Sequence, residues 1–252
     1  MGEAARLTNA RSPAESISSA DPGLRQLASL SIGRKQIQLW LVNLSAYPWV
    51  LREDCLSSIE QHRAGRLVFD KDRSRFRAAH CALRELLARR LDCPPSAPDF
   101  QTTTQGKPYL AALSSTTGAC RFNLSHSEDL ALVGMADDVE IGVDIETVRI
   151  IDDALSLARE VFTCREQAEL RETPPNQRDS AFLRGWTRKE ACLKAVGCGL
   201  GVSPRAFHVG LAGEQTPITL ITDTGQSVVQ VQSIDVGPGA TAAVAMIQDN
   251  QS

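Results

Sequence analysis

One pattern occurs twice along this 252-residue chain: a long amphipathic helix followed by short apolar runs of strand character. Over residues 69–91, apolar side chains recur at steps of three and four, which predicts a helix with one buried face. Strands are predicted from 100 to 146. A second helix is predicted over 177–196, with strands from 207 to 247. The repetition predicts an α+β fold with a pseudo-two-fold duplication of two similar halves, each with a long helix packed on a small antiparallel sheet.

The chain divides into three expected parts. Residues 1–33 are rich in Ala, Ser, Arg and Pro and show no apolar period, so we expect a flexible N-terminal tail. The N-terminal α+β half is expected over residues 34–140, and it opens with a strand in the run QIQLWLVNL at 36–44. The C-terminal α+β half is expected over residues 141–252 and carries the metal motif described below.

The C-terminal half also carries explicit helix signals. Thr163 and Glu166 have the T-x-x-E spacing of a capping box, which predicts a helix start. Gly197 follows the second long helix and predicts its end. The two long helices share one spacing of side chains, in which Phe76, His80, Leu83 and Arg84 correspond to Trp186, Glu190, Leu193 and Lys194.

Composition and charge exclude several classes of protein. The formal net charge is −3, and no broad basic surface for nucleic acid is evident. No apolar run approaches the roughly 18 residues that a membrane helix needs. The seven cysteines form no CxxC pair, which favours a reduced cytoplasmic protein without a zinc site. We therefore expect a cytoplasmic protein with no nucleic-acid or membrane partner, and a single chain of two halves favours a monomer.

The run GVDIE at 142–146 places two acids on one side of a predicted strand. Side chains alternate along a strand, so Val143 and Ile145 point to a core while Asp144 and Glu146 share the other face. Neighbouring carboxylates repel each other, and a bound divalent cation reverses the sign of that interaction. The run indicates a metal site, and an exposed acidic strand face is the plainer alternative.

The run WTRKEACLK at 186–194 supplies a third acid from a helix. Trp186, Glu190 and Lys194 are spaced at i, i+4 and i+8, so they lie along one helix face. Taken alone, this is a surface Glu–Lys pair beside a half-buried Trp. Combined with the two strand acids, it predicts a Mg²⁺–phosphate site with a lysine one turn beyond the third carboxylate.

Other polar groups upstream suit a phosphate-bearing substrate. Lys107 lies in the loop sequence GKP, and the run FNLSHS supplies Ser125 and His126. Arg63 and Arg75 lie near the start of the first long helix. Each also has a plainer interpretation as a loop residue or as part of a solvated helix face. The chain has no P-loop, no GxGxxG and no GxSxG, so it lacks the usual nucleotide cradle and hydrolase elbow.

Together, GKP, FNLSHS, GVDIE and WTRKEACLKAVGCGL resemble, in order and spacing, the motifs of 4′-phosphopantetheinyl transferases of the long, Sfp-like branch. The resemblance runs over residues 37–247. It implies a pseudo-dimer of two α+β halves with a coenzyme A site between them. It also implies Mg²⁺-dependent transfer of 4′-phosphopantetheine from coenzyme A to a serine of an acyl, peptidyl or aryl carrier protein, with release of adenosine 3′,5′-bisphosphate.

The resemblance also implies roles for individual residues. Asp144, Glu146 and Glu190 match the acids that hold Mg²⁺, with Mn²⁺ as an alternative, and Glu190 also matches the base that deprotonates the carrier serine. Lys194 matches the lysine that meets the pyrophosphate and protonates the departing bisphosphate. Glu60, three positions before Arg63, stands where one member of the family has a lysine, and an acid there is expected to repel phosphate. The positions implied to bind coenzyme A are Lys107, Ser125, His126, Arg63, Arg75 and Lys194.

Two other functions stay open at this point. A Mg²⁺-dependent phosphodiesterase acting on a nucleotide pyrophosphate would use the same three acids with an attacking water and no carrier. A non-catalytic module that binds coenzyme A or a carrier is the second alternative, and the intact acids and Lys194 disfavour it.

Overall fold

Antiparallel sheets and the helices packed on them make up the protein, which confirms the predicted α+β class. The structure is a computed structural model that describes residues 22–27, 29–32, 35–111, 119–212, 216–223 and 225–248. Within those ranges, no helix combines the length and the apolar character needed to span a bilayer.

The N-terminal part forms a five-stranded sheet with one long helix across it. Its strands are β1 (Leu24–Gln26), β2 (Leu30–Ile32), β3 (Lys35–Asn43), β6 (Cys120–Ser127) and β7 (Leu130–Asp137), its helices are α1 (Ser58–Gly65) and α2 (Asp70–Leu91), and a separate two-stranded sheet contains β4 (Phe100–Thr102) and β5 (Pro108–Leu110). The strand order is β1-β3-β7-β6, and β2 also pairs with β3. Trp40 and Val42 of β3 pack with α2, whereas Leu39 and Leu41 belong to a core on the opposite face, as strand alternation predicts.

The C-terminal part forms a four-stranded sheet that also carries one long helix. Its elements are β8 (Ile141–Thr147), α3 (Ala154–Val161), α4 (Cys164–Glu172), α5 (Arg178–Val196), β9 (Thr216–Thr222), β10 (Gly225–Ile234) and β11 (Ala240–Ile247). The strand order is β8-β11-β10-β9, so β8 is an edge strand. Ala191, Cys192 and Leu193 of α5 pack with apolar side chains of β9, β10 and β11.

The two sheets share one apolar core and meet along two edge strands. The shared core includes Leu39, Leu41, Leu132, Ile141, Val143, Ile145, Val244 and Met246. Strands β6 and β8 lie side by side at the junction, and side chains connect them. For example, the Val143 amide donates to Asn123 Oδ1 at 2.9 Å. The junction therefore brings the strand of FNLSHS against the strand of GVDIE.

Both predicted helix signals of the C-terminal part are confirmed, and one of them anchors α5. Thr163 and Glu166 form the reciprocal capping box of α4, and Gly197 ends α5 with a φ of 72°. The Glu166 carboxylate also accepts a charged hydrogen bond from Lys189 of α5 at 2.8 Å. Both side chains are fully buried. Because Lys189 directly precedes Glu190, this buried pair fixes the rotation of α5 about its axis.

The boundary predicted for the N-terminal tail, at residue 33, lies too far along the chain. Strands β1 and β2 fall within residues 1–33 and pair with β3, so the expectation of a flexible tail is wrong for these two strands. Each has only three residues, which is too short for a period-2 pattern to show, and its partner lies elsewhere in the sequence. Residues 1–21 lie outside the described residues.

Two further details differ from the sequence predictions. The run FHV at 207–209 was predicted to be a strand, but it is a loop in which Phe207 and Val209 are buried. Its backbone groups bond to side chains instead of a neighbouring strand: the Val209 amide donates to Glu166 Oε1 at 2.7 Å, and the Val209 carbonyl accepts from Arg188 Nη2 at 2.7 Å. Helix α1, which carries a capping box at Ser57, was not predicted.

Candidate active site

Strand β8 buries both of its faces. Val143 and Ile145 lie in the shared core, as predicted. The opposite face lies against α5, where a Cβ built on Gly142 would overlap the carbonyl oxygen of Ala191. Asp144 is only 5% exposed. The plainer alternative for this run, an exposed acidic strand face, is therefore excluded.

The side chains of Asp144, Ser125 and Lys194, which come from three elements, contact one another. Lys194 Nζ of α5 donates to Asp144 Oδ1 at 2.6 Å, and Ser125 Oγ of β6 donates to the same oxygen at 2.7 Å. Lys194 Nζ also lies 3.0 Å from Ser125 Oγ. Burial raises the pKa of Asp144, and the Lys194 charge opposes the rise. The second carboxylate oxygen, Oδ2, is buried without any hydrogen-bond partner, which is costly unless a further ligand binds there.

The other two predicted acids lie in the same electrostatic field. Burial raises the pKa of Glu190, and the negative charge of Asp144 and, to a smaller extent, of Glu146 raises it further. Glu146 Oε2 accepts from Ser127 Oγ at 2.9 Å and from Arg149 at 2.8 Å. In the described part of the chain, no three His, Cys, Asp or Glu side chains are already arranged as a metal site.

A cavity of about 340 Å³ opens beside Glu190 and Lys194. That volume is within the range of small-molecule sites. The rest of its lining comes from the β4–β5 loop, from β6 and from the end of α5: Gln105, Gly106, Lys107, Pro108, Asn123, Leu124, Leu193, Gly197 and Gly199. Three of the motifs, GKP, FNLSHS and the α5 motif, therefore line one cavity. The Lys107 ammonium itself is bound to protein acceptors.

The remaining predicted basic residues, His126, Arg75 and Arg63, differ in their positions relative to the site. Desolvation lowers the pKa of His126, and the nearby basic side chains of His80, Lys194 and Arg75 lower it further, which indicates that these groups surround one region. Arg75 is itself paired with Asp129 at 2.8 Å and with Glu128. Arg63 is exposed on α1 and forms no described contact with the other candidate residues.

Glu60 is an internal residue of the N-terminal half. Its carboxylate accepts from Arg84 Nε at 2.8 Å, lies 2.9 Å from His80 Nδ1 and closes a capping box with Ser57. Only 4% of the residue is exposed. Its charge is therefore balanced inside the protein, and the structure gives no support to the expectation that it repels phosphate.

Replacing Glu60 by Gln is expected to remove a pH-dependent part of the stability. Burial opposes ionisation of Glu60, but hydrogen bonds from His80 and Ser57 outweigh it and lower the pKa from 4.5 to about 2. Such an acid stabilises the fold above pH 4.5, and the contribution is lost as the pH falls through 2. The difference in unfolding free energy between wild type and Glu60→Gln should be about 3 kcal/mol near neutral pH and should shrink in acid. Urea denaturation across this range measures it, and a difference independent of pH would contradict the assignment.

Two functional candidates, Ser127 and Arg149, were not predicted from the sequence. Ser127 donates to Glu146 and accepts from the Thr147 amide at 3.1 Å, and Arg149 pairs with Glu146 at 2.8 Å. The signal for Ser127 was present, because Asn123, Ser125 and Ser127 repeat with period 2 in FNLSHS and so share one face of β6. Nothing local to the sequence indicated that β8 would lie against that face.

The site combines a strand-borne carboxylate bound by a lysine and a serine with a helix-borne acid beside a cavity. Carboxylate oxygens and an ammonium are groups that bind a divalent cation and a phosphate. Residues 140–245 match the family model of the 4′-phosphopantetheinyl transferase superfamily. Residues 42–137 match a second model, 4′-phosphopantetheinyl transferase, N-terminal. The chain belongs to the 4′-phosphopantetheinyl transferase superfamily, and it is therefore a transferase.

Individual relatives agree with the family models. The chain is 37% identical over 174 residues to the 4′-phosphopantetheinyl transferase HetI of a Nostoc species, covering 68% of this chain and 73% of the relative. It is 30% identical over 188 residues to the L-aminoadipate-semialdehyde dehydrogenase-phosphopantetheinyl transferase of Xenopus laevis, covering 68% and 62%. It is 41% identical over 121 residues to the 4′-phosphopantetheinyl transferase AcpT of Salmonella typhimurium, covering 48% and 59%. The matched part thus spans between about three fifths and three quarters of these relatives.

Proposed function

We propose that this protein transfers 4′-phosphopantetheine from coenzyme A to a serine of an acyl, peptidyl or aryl carrier protein and releases adenosine 3′,5′-bisphosphate. The observation that carries the proposal is the convergence of Asp144, Lys194 and Ser125, with Glu190 in the same electrostatic field, at the edge of a cavity. Membership of the family and the names of the relatives support the type of reaction.

The acids suit a hard divalent ion. Asp144, Glu146 and Glu190 offer oxygen donors only, which is the donor set that Mg²⁺ prefers over softer metals. The buried and unpartnered Asp144 Oδ2 is an oxygen that such an ion would satisfy. We therefore propose these three residues as holders of Mg²⁺, with Mn²⁺ as the alternative. When bound, the ion would screen the negative charge of the coenzyme A pyrophosphate.

The side chains of α5 supply the proton transfers in this proposal. A carrier serine needs a base, and the raised pKa of Glu190 makes its carboxylate a stronger proton acceptor than an ordinary glutamate. The serine oxygen forms a bond to the phosphorus that carries pantetheine, and the bond from this phosphorus to the bridging oxygen breaks. Lys194 Nζ, one helical turn along, is available to protonate that leaving oxygen. The nucleophile belongs to the carrier, so this chain needs none.

The nucleotide end of coenzyme A is proposed to bind at the cavity and its rim. The loop containing Lys107 lines the cavity, and Ser125 and His126 lie on the adjoining strand. Arg63 and Arg75 are proposed to contact the phosphates. Arg75 already forms ion pairs with Asp129 and Glu128, so it would have to release them in order to bind a phosphate.

We also propose that the two halves, which meet between residues 140 and 141, arose by duplication. Both contain the same buried ion pair. The capping-box acid of a short helix pairs with a basic side chain of the long helix, and that basic side chain also donates hydrogen bonds to loop carbonyls. In the first half Arg84 bonds to Glu60 and to the Pro98 carbonyl, and in the second Lys189 bonds to Glu166 and to the Phe207 carbonyl. These contacts favour a correspondence of Arg84 with Lys189, not with Lys194 as the spacing of side chains indicated.

A monomer in the cytoplasm completes the proposal. All seven cysteines lie within the described residues and carry free thiols, which supports a reducing compartment. The alternative function, a Mg²⁺-dependent phosphodiesterase, gains no support from the matching families and relatives.

Mass spectrometry of an apo carrier protein tests the function directly. The wild-type protein is incubated with coenzyme A, Mg²⁺ and a panel of acyl, peptidyl and aryl carriers. We expect one carrier in the panel to gain the mass of one phosphopantetheine on its serine. Hydrolysis of coenzyme A without any gain on a carrier would instead favour the phosphodiesterase.

A further inference from the structure

The side chain of Lys107 is bound on all sides by the protein. Lys107 Nζ donates to Glu140 Oε2 at 2.6 Å, to the Ala195 carbonyl at 2.8 Å and to the Ile141 carbonyl at 3.1 Å. An ammonium has three N–H donors, so these acceptors use all of them. The side chain is only 10% exposed. A lysine that serves mainly to attract a substrate phosphate would keep at least part of its ammonium free.

Two of the three acceptors of Lys107 belong to the elements that carry the candidate catalytic groups, and the third, Glu140, directly precedes β8. Ala195 is in the last turn of α5, where carbonyl groups lack partners within the helix and a positive charge is favourable. Ile141 is the first residue of β8. Lys107 thus connects the end of the helix bearing Glu190 and Lys194 to the start of the strand bearing the other two acids.

The packing of the lysine stem strengthens this connection. A Cβ built on Gly197, the residue that ends α5, would lie 3.0 Å from Lys107 Cδ, so the stem crosses the end of the helix in close contact. Glu140 also pairs with Arg121 of β6 at 3.2 Å. The β4–β5 loop, strand β6, strand β8 and helix α5 are therefore joined around one buried ammonium.

We propose that Lys107 is a positioning residue that holds the end of α5 against β8 and so sets the distance between the helix-borne and strand-borne groups. The side chain does not contact coenzyme A, although its loop lines the cavity. This inference rests on the proposed function, because it assigns Lys107 a part in the same reaction. It replaces the role implied by the family resemblance for this side chain.

The Lys107→Met variant separates the two roles by their kinetics. Methionine keeps an apolar stem and removes the ammonium. A displacement of α5 relative to β8 should lower kcat by roughly 10- to 100-fold. The KM for coenzyme A should stay within about twofold of wild type, because no contact to the substrate is lost. A raised KM with unchanged kcat would overturn the proposal and restore a direct contact with coenzyme A.

A second variant and a control keep the outcome interpretable. Glu140→Gln retains the lysine and leaves the two carbonyl acceptors, so it should lower kcat by a smaller factor, about two- to fivefold, again without a change in KM. Arg90→Met is the matched control: Arg90 lies in the last turn of α2 and pairs at 2.5 Å with Asp137 of β7, which is opposite Cys120 at the start of β6 and therefore away from Ser125. It should leave kcat and KM unchanged. A loss of kcat in Arg90→Met as large as in Lys107→Met would overturn the positioning role.

The result remains distinct from a failure of the proposed function. If wild-type protein transfers no phosphopantetheine, the function itself is wrong. If it does, hydrogen exchange of the amides at 193–197 gives a readout independent of activity: faster exchange is expected in Lys107→Met and not in Arg90→Met. Unchanged exchange in Lys107→Met, with wild-type kcat, would reject the proposed connection.

Discussion

Replacing Asp144 by Ala is expected to lower phosphopantetheine transfer by roughly 10³-fold or more while the protein stays folded. Asp144 is the acid that Lys194 and Ser125 both contact, at 2.6 and 2.7 Å, and its Oδ2 is the buried oxygen without a partner. Its loss removes one of the three proposed metal holders and leaves Lys194 without its ion-pair partner. The measurement is transfer to an apo carrier at saturating coenzyme A, followed by mass spectrometry.

The same substitution is expected to change the unfolding free energy near neutral pH by no more than about 1 kcal/mol, because it removes a buried charge and the Lys194 side chain, 29% exposed, can turn to solvent. Burial raises the pKa of Asp144 above its ordinary 3.8, so the folded protein binds that proton more tightly than the unfolded chain does. A raised acid pKa gives stability that is present below 3.8 and is lost as the pH rises through the folded value. Asp144→Ala has no carboxyl group to titrate at this position. Chemical denaturation should therefore show that its unfolding free energy declines less with rising pH than that of the wild type.

Two further variants make the activity test of Asp144→Ala specific. Asp144→Asn keeps the shape and the hydrogen bond from Ser125 but removes the charge, so it should be nearly as inactive as Asp144→Ala. Asp137→Ala removes an acid that lies at the end of β7 and pairs with Arg90, and it should keep wild-type activity. An Asp144→Ala variant with more than about a tenth of wild-type activity at ordinary Mg²⁺ would reject the metal role.

The strand and helix periods were enough to predict the faces that form this site. Alternation along GVDIE correctly placed Val143 and Ile145 in the core. A shift of one residue would instead turn Asp144 and Glu146 into apolar surroundings. The spacing of Glu190 and Lys194 correctly put them on one face of α5, and both line the same cavity. These are local consequences of backbone geometry, so they can be inferred from a short stretch of sequence.

Contacts between distant segments could not be inferred in the same way. The partners of Lys107 are 33, 34 and 88 residues away in sequence, and a loop lysine after a glycine gives no sign that its ammonium will be buried. The run at 207–209 has the alternation of apolar and polar residues that a strand shows, yet buried side chains of Glu166 and Arg188 bind its backbone. In both cases a buried charged group decides the structure, and such a group is identified only after the fold is known.

Gly142 is expected to tolerate no side chain at all. A Cβ on this residue would overlap the Ala191 carbonyl oxygen and the Ala195 amide nitrogen and would lie 2.8 Å from the Lys194 carbonyl carbon. These are backbone atoms of α5, so no rotamer change can relieve the overlap, and the helix would have to move away from β8. We expect Gly142→Ala to cost about 3 kcal/mol or more in unfolding free energy and to abolish transfer.

Two other glycines give a graded comparison that tests this steric explanation. A Cβ on Gly134 would lie 2.7 Å from Val143 Cγ1 and 3.2 Å from Ile141 Cδ1, which are side-chain atoms and not backbone, so Gly134→Ala should be destabilised, but less than Gly142→Ala. A Cβ on Gly65 would meet nothing within 4 Å, and alanine favours helix α1, so Gly65→Ala should match or slightly exceed wild-type stability. Thermal and urea unfolding rank the three variants. If Gly142→Ala were as stable and as active as Gly65→Ala, β8 and α5 could not be in the direct backbone contact on which the site depends.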